Sequence, residues 1–264
     1  MEASYPRMLY RGFKPFDPLW LVRVTEDIVC RGDARKYTSF YATGVYGGIA
    51  TGYCVGCCLR CFYCWSGFSR DFPELYGDYY SSLDVYKRIK KVMRVYGVKR
   101  TRISGGEPTL CREHLLKLLD YIERDRDIEL FILETNGILF GYDKNYVREL
   151  SNYSRVHVRV SLKAGYPETF TARTGAKKDA FKLPFEAIKN LLKYNVSFHV
   201  AAMTDPRLMS SEERRELIRL LREIDEVVAV NLEEEVCDPY DATIVRMHVY
   251  GVDPVEFFKK ELSW

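Results

Sequence analysis

Residues 56–64 read Gly56-Cys57-Cys58-Leu59-Arg60-Cys61-Phe62-Tyr63-Cys64. Four of the chain's eight cysteines stand in this stretch. Three of them, Cys57, Cys61 and Cys64, follow the spacing C-x3-C-x2-C. Iron–sulfur clusters are normally held by four thiolates. Three thiolates on one short loop hold three irons of a [4Fe–4S] cube and leave the fourth iron open to a small molecule. Two other uses of cysteine compete. A structural zinc site pairs two short C-x-x-C-type knuckles. The remaining cysteines supply no second knuckle, although Cys54 and Cys58 could add a fourth thiolate locally. A disulfide framework fits poorly with eight cysteines in 264 residues. The first ten residues also lack the apolar core of a secretory leader, so a reducing, cytoplasmic setting is expected.

Outward from this loop, strand-like and helix-like segments alternate. Residues 44–51 read as a strand feeding the cysteines, and 82–96 as a helix with Ser82 at its N-cap. Strands follow at 99–104, 128–134, 155–162, 196–203 and 227–232, and helices at 110–124, 142–150, 185–194 and 211–223. Along 155–162, Val156, Val158 and Val160 alternate, which buries one face and sets Ser161 on the other. Six strand–helix units thus fill residues 44–232. Such a chain closes toward a barrel or opens into a doubly wound sheet, and either places its chemistry at the carboxyl ends of the strands. Residues 1–40 read as an N-terminal extension with one strand at 19–25. Residues 41–232 make the core, and 233–264 a tail with a helix at 254–262.

The 47% hydrophobic and 29% charged fractions fit one α/β domain with a large core. No apolar run approaches membrane-spanning length. The net charge of +3 is too small to argue for or against a nucleic-acid partner. Tyrosine is abundant, at 20 residues, which leans toward a thermophilic source. The basic run from Lys87 to Arg102 fits the solvated face of an amphipathic helix, since Ile89, Val92, Met93 and Tyr96 supply its apolar stripe.

Three further motifs end strands. Ser104-Gly105-Gly106-Glu107-Pro108 offers two glycines that let a ligand approach the backbone, beside a carboxylate that can accept from an ammonium. Glu134-Thr135-Asn136-Gly137 contains an Asn-Gly turn. Ser161-Leu162-Lys163 opens the stretch 161–175, SLKAGYPETFTARTG. At the sixth strand end, Glu233-Glu234-Glu235 either faces a cationic substrate or is solvated.

Together these motifs resemble the radical S-adenosylmethionine (radical SAM) superfamily. The resemblance implies a partial (β/α)6 TIM-like barrel with short terminal extensions. It implies a [4Fe–4S] cluster on Cys57, Cys61 and Cys64 whose open iron is chelated by S-adenosylmethionine. One-electron reduction of the sulfonium then yields a 5′-deoxyadenosyl radical, which abstracts hydrogen from a substrate. Gly105, Gly106 and Glu107 match the element that grips the methionine amino group. Tyr63 matches the aromatic position over the adenine, and Asn136 a segment near the same cofactor. The 161–175 stretch is similar to glycyl-radical-enzyme activases, where an Asp and a Lys contact the cofactor; here Ser161 replaces the Asp and Lys163 is retained. An electron donor such as a flavodoxin or ferredoxin is implied, and a protein substrate is open. Cys64-Trp65 and the basic helix resemble the wyosine-forming tRNA enzymes, which leaves an RNA- or small-molecule-modifying enzyme open too. A non-catalytic iron–sulfur or zinc-binding interaction protein is the alternative from another class.

Overall fold

The computed structural model describes residues 5–262, so the outermost residues of the expected extension and tail lie outside it. Its centre is one nine-stranded sheet: β1 (Cys30–Arg31), β2 (Ala34–Thr43), β3 (Ile49–Cys54), β4 (Asp78–Ser81), β5 (Arg100–Gly105), β6 (Leu130–Thr135), β7 (Val156–Leu162), β8 (Phe198–Met203) and β9 (Glu233–Glu235). The order is β1-β2-β3-β5-β6-β7-β8-β9, with β4 paired to β2. From β3 onward every pairing in that path is parallel, while β1, β2 and β4 join antiparallel. The six parallel strands, β3 and β5 to β9, form a partial α/β barrel, and β9 does not pair back to the first edge.

Strand alternation sorts the barrel into two environments. Ile103, Leu133, Val158 and Val160 point outward into the main core, against Leu115, Leu119, Ile188 and Leu191 of the surrounding helices. The intervening residues Arg102, Glu134 and Arg159 point inward, Arg102 bonding to Glu134 and Arg159 to Glu233 of β9. The apolar core therefore lies between sheet and helices, and the barrel interior is polar.

Four segments differ from the sequence reading. Residues 19–25 lie in a helix, Pro18–Val29, because Asp17 caps it through Leu19 N and Pro18 sits in its first turn. Residues 227–232 are not a strand. The Asp225 carboxylate accepts from Val227 N and Val228 N and starts the short helix Glu226–Val230. The strand is instead the acidic triplet that follows, β9. The first parallel strand begins at Ile49, behind a single helical turn at Val45–Gly47. The helix expected from Ser82 is capped one residue earlier, by Ser81 accepting from Asp84 N. Beyond these, β2 is a ten-residue strand in a region read mostly as irregular.

Cys30 and Cys111 form a disulfide, with Cα atoms 5.6 Å apart across 81 residues of sequence. The other six cysteines are free. The pairing was invisible in sequence because only the fold brings β1 to the start of the helix Arg112–Arg124. Closing so long a loop restrains the unfolded chain, so reduction should lower stability by about 2–4 kcal/mol. Chemical denaturation of the apoprotein with and without a reductant measures this; Cys30→Ser should match the reduced protein.

Candidate cofactor and substrate cavity

The β3–β5 ladder continues past the strand ends. Gly106 N donates to Cys54 O at 2.8 Å, and Glu107 N donates to Gly56 O at 2.8 Å. The cysteine loop and the Gly-Gly turn are thereby stitched together. Only glycine fits there: a Cβ on Gly106 would lie 2.0 Å from Gly56 O, and Gly105 has φ of +96°. Arg35 of β2, 1% exposed, fixes the same turn from behind. Its guanidinium donates to the carbonyls of Glu107 (2.6 Å), Pro108 (2.6 Å) and Leu110 (2.7 Å).

These loops wall a cavity of about 1030 Å³ at the carboxyl end of the strands. Every residue singled out from sequence reaches its wall: Cys57, Cys61, Tyr63, Cys64, Gly105, Gly106, Glu107, Asn136, Ser161 and Lys163. Cys54 and Cys58 do not, and both are fully buried. Asn136 Nδ2 donates to Cys58 Sγ at 3.3 Å and approaches Cys57 Sγ at 3.7 Å. A hydrogen bond from the Cys58 thiol pulls Cys57 below the ordinary thiol range. That same bond, with burial, pushes Cys58 well above it. The adjacent pair is thus pushed in opposite directions, Cys57 toward the thiolate and Cys58 toward the thiol. Burial lifts Cys61 to about 11. Burial acts likewise on Cys64, but the charges of Arg70 and Arg246 outweigh it and hold that thiol below its usual value.

The donor set fits a cluster with one open iron: three thiols face one cavity and the fourth is turned into the core.

Backbone contacts brace the loop from the far side. Arg60 N donates to Thr174 O at 2.9 Å and Phe62 N to Arg173 O at 3.1 Å, so the Arg173-Thr174 part of the 161–175 stretch is its backstop. Tyr250 of the tail stacks on Phe62 at 4.3 Å between ring centroids. Arg246, also from the tail, donates to the carbonyls of Cys64 (2.6 Å) and Gly67 (3.0 Å). Glu107 is 2% exposed. It accepts from Thr109 Oγ1 and Thr135 Oγ1, each at 2.6 Å, and from Asn136 N at 2.8 Å. Its carboxylate therefore ties the second motif to the third.

Deeper in the barrel the wall is ionic. Arg102 meets Glu134 at 2.6 Å, and Glu134 also accepts from Ser104 at 2.6 Å and Tyr46 at 3.1 Å. Arg159 bridges Glu233 at 2.8 Å and Glu235 at 2.7 Å. Lys163 bonds to Ser161, which in turn donates to Glu235 at 3.3 Å. The hydrogen bond from His199, then Arg159, draws the Glu233 carboxyl down to about 2. Burial opposes ionisation of Glu235, but Arg159 and Lys163 hold it below the carboxylate range. Glu234, on the opposite face, pairs with Arg214. The acidic triplet is therefore neither free for a ligand nor simply solvated. Arg35, Arg70, Asp71, Arg159 and Arg246 went unread in the sequence, where isolated arginines carry no spacing signal.

The family model described as the radical SAM superfamily matches residues 53–221. GTP 3',8-cyclase of Clostridium perfringens (strain SM101 / Type A) is 41% identical over 106 residues, 40% of this chain and 31% of that protein. A second GTP 3',8-cyclase, from Desulforamulus reducens, is 28% identical over 170 residues, 64% of this chain and 49% of that protein. The chain thus spans about a third to a half of the length of these curated relatives. The solved structure of native anSMEcpe with bound AdoMet has a TM-score of 0.51 at 22% identity, over 69% of this chain and 49% of that one.

Replacing Cys57, Cys61 or Cys64 by Ala should abolish the broad iron–sulfur absorption of the anaerobically reconstituted protein. Cys58→Ser should leave it intact. Iron and sulfide quantification on the four variants tests the division, and loss of the cluster in Cys58→Ser would reverse it.

Proposed function

The chain belongs to the radical SAM superfamily, and from that membership we propose that Cys57, Cys61 and Cys64 are the cluster ligands of an enzyme that abstracts hydrogen from its substrate. The cofactors are those of the superfamily, a [4Fe–4S] cluster and S-adenosylmethionine. When bound, they supply one-electron cleavage of the sulfonium, the source of a 5′-deoxyadenosyl radical. The observation that carries the reading is that three thiols and the Gly105-Gly106 backbone share one cavity wall while Cys58 turns away. Gly105, Gly106 and Glu107 form the cradle for the methionine end, Tyr63 and Asn136 flank the nucleoside, and Ser161 and Lys163 reach the cofactor from β7. Residues 41–232, completed by β9 from the start of the tail, act as the core. A ferredoxin or flavodoxin in the cytoplasm serves as electron donor.

The wall charges bear on the substrate. The carboxylates Glu107, Glu134, Glu233, Glu235 and Asp238 number five, against the four cations Arg70, Arg102, Arg159 and Lys163. Arg70, Arg102 and Arg159 are each already paired with a carboxylate. Drawing Arg159 onto a phosphate would break its pairs with Glu233 and Glu235 and leave Lys163 as the cation beside Glu235. The substrate is therefore neutral or cationic where it enters the barrel, unlike the triphosphate in the relatives' name. The same charges disfavour an RNA backbone. A peptide backbone is neutral, so the activase-like reading, with a glycine of a partner enzyme as substrate, remains compatible. Its support is the 161–175 resemblance, and the curated relatives carry another name.

Reconstituted anaerobically and reduced with dithionite, the protein should convert S-adenosylmethionine to 5′-deoxyadenosine, followed by chromatography. A colourless, zinc-loaded protein without this product would overturn the enzyme reading. Adding GTP should change neither the cleavage rate nor the melting temperature. A saturable response to GTP would overturn the substrate polarity alone.

A further inference from the structure

Directly behind Cys61 and Cys64 lies a buried charge cluster that the radical chemistry does not itself require. Arg70 is 2% exposed, Asp71 0% and Arg246 1%. Arg70 donates to Cys61 O at 2.7 Å. Arg246 donates to Cys64 O at 2.6 Å, and Thr243 Oγ1 reaches the same carbonyl at 3.3 Å. Both guanidiniums close on the one carboxylate of Asp71, Arg70 on Oδ1 and Arg246 on Oδ2. Arginine stays protonated in proteins. Two cations and one anion thus leave a fixed net charge of +1, almost wholly buried, hydrogen-bonded to the carbonyls of the two cysteines Cys61 and Cys64.

We propose that the Arg70–Asp71–Arg246 cluster sets the reduction potential of the iron–sulfur centre, with Arg246 bringing the C-terminal tail into its electrostatics. Charge, hydrogen bonding and exposure are the levers by which a protein tunes such a centre, and groups behind the ligands are a recurrent place to apply them. A positive charge in a low-dielectric site favours the form carrying the extra electron. Neutralising Arg246 makes the centre harder to reduce. Neutralising Asp71 leaves two uncompensated cations and makes it easier. A purely mechanical brace would not give opposite signs.

This inference rests on the cluster assignment above, and the test separates the two. The midpoint potential of the reconstituted enzyme is measured by a redox titration followed by electron paramagnetic resonance. Arg246→Gln should move it to more negative values and Asp71→Asn to more positive ones. Arg246→Lys keeps the charge and gives up part of the fork, so its potential should stay near that of the parent while cluster retention falls. Should Arg246→Gln fail to load, Asp71→Asn and Arg246→Lys decide by themselves. Potentials that do not move, or that move the same way in both neutralising variants, overturn the proposal. A parent protein that shows no [4Fe–4S] signal overturns the cluster assignment instead.

Discussion

Two backbone hydrogen bonds hold the rest of the site in place, Gly106 N to Cys54 O and Glu107 N to Gly56 O. They extend a parallel ladder beyond the ends of β3 and β5, where the chain would otherwise be free to diverge. Because the two loops are bonded to each other, the thiols and the glycine cradle share one frame. Arg35 and the disulfide hold the glycine turn and its exit from the N-terminal side. Arg246, Tyr250 and Thr174 hold the cysteine loop from the other side. Both terminal segments are thus structural parts of the centre and not only coverings of it.

The barrel interior follows a second constraint. A small barrel normally fills its centre with apolar side chains. Here the inward positions of β5, β6, β7 and β9 carry Arg102, Glu134, Arg159, Glu233 and Glu235, each satisfied by its neighbours. Buried ion pairs add little net stability against apolar residues of similar volume. Their use here is compatible with an open chamber whose walls keep one charge pattern. Arg159 and its neighbours hold the carboxyls of Glu233 and Glu235 below their usual range, which favours that pattern.

Much of this was legible in the chain itself. The motifs at strand ends lie together because parallel α/β topology places all such ends on one side, and the Val156-Val158-Val160 alternation told which face of β7 held Ser161. The limits are equally physical. β9 consists of three glutamates, and no hydrophobic pattern marks it; its strand is made by pairing with β8 and by Arg159. The helix Pro18–Val29 shares its apolar residues with a plausible strand, and only the Asp17 cap with Pro18 distinguishes the two. Arg70, Asp71 and Arg246 are separated by up to 176 residues of sequence and meet only in three dimensions. Cys57 and Cys58 are the same residue type side by side, and it is their burial and the Asn136 amide that tell them apart.

The Cys30–Cys111 bridge carries a consequence for biogenesis. Two sulfurs of this chain are oxidised in the folded state, while the three proposed to receive iron must stay reduced, in a polypeptide with eight cysteines to choose from. Those demands are reconciled by order of events. If the sheet forms first, Cys30 and Cys111 are already neighbours and Cys54, Cys58 and Cys237 are sealed inside, so an oxidant meets the correct couple. Metal loading before that collapse would find every sulfur equally accessible. Tertiary structure can thereby act as the chaperone of this chain's cysteine chemistry, since it alone brings Cys30 and Cys111 together and buries Cys54, Cys58 and Cys237.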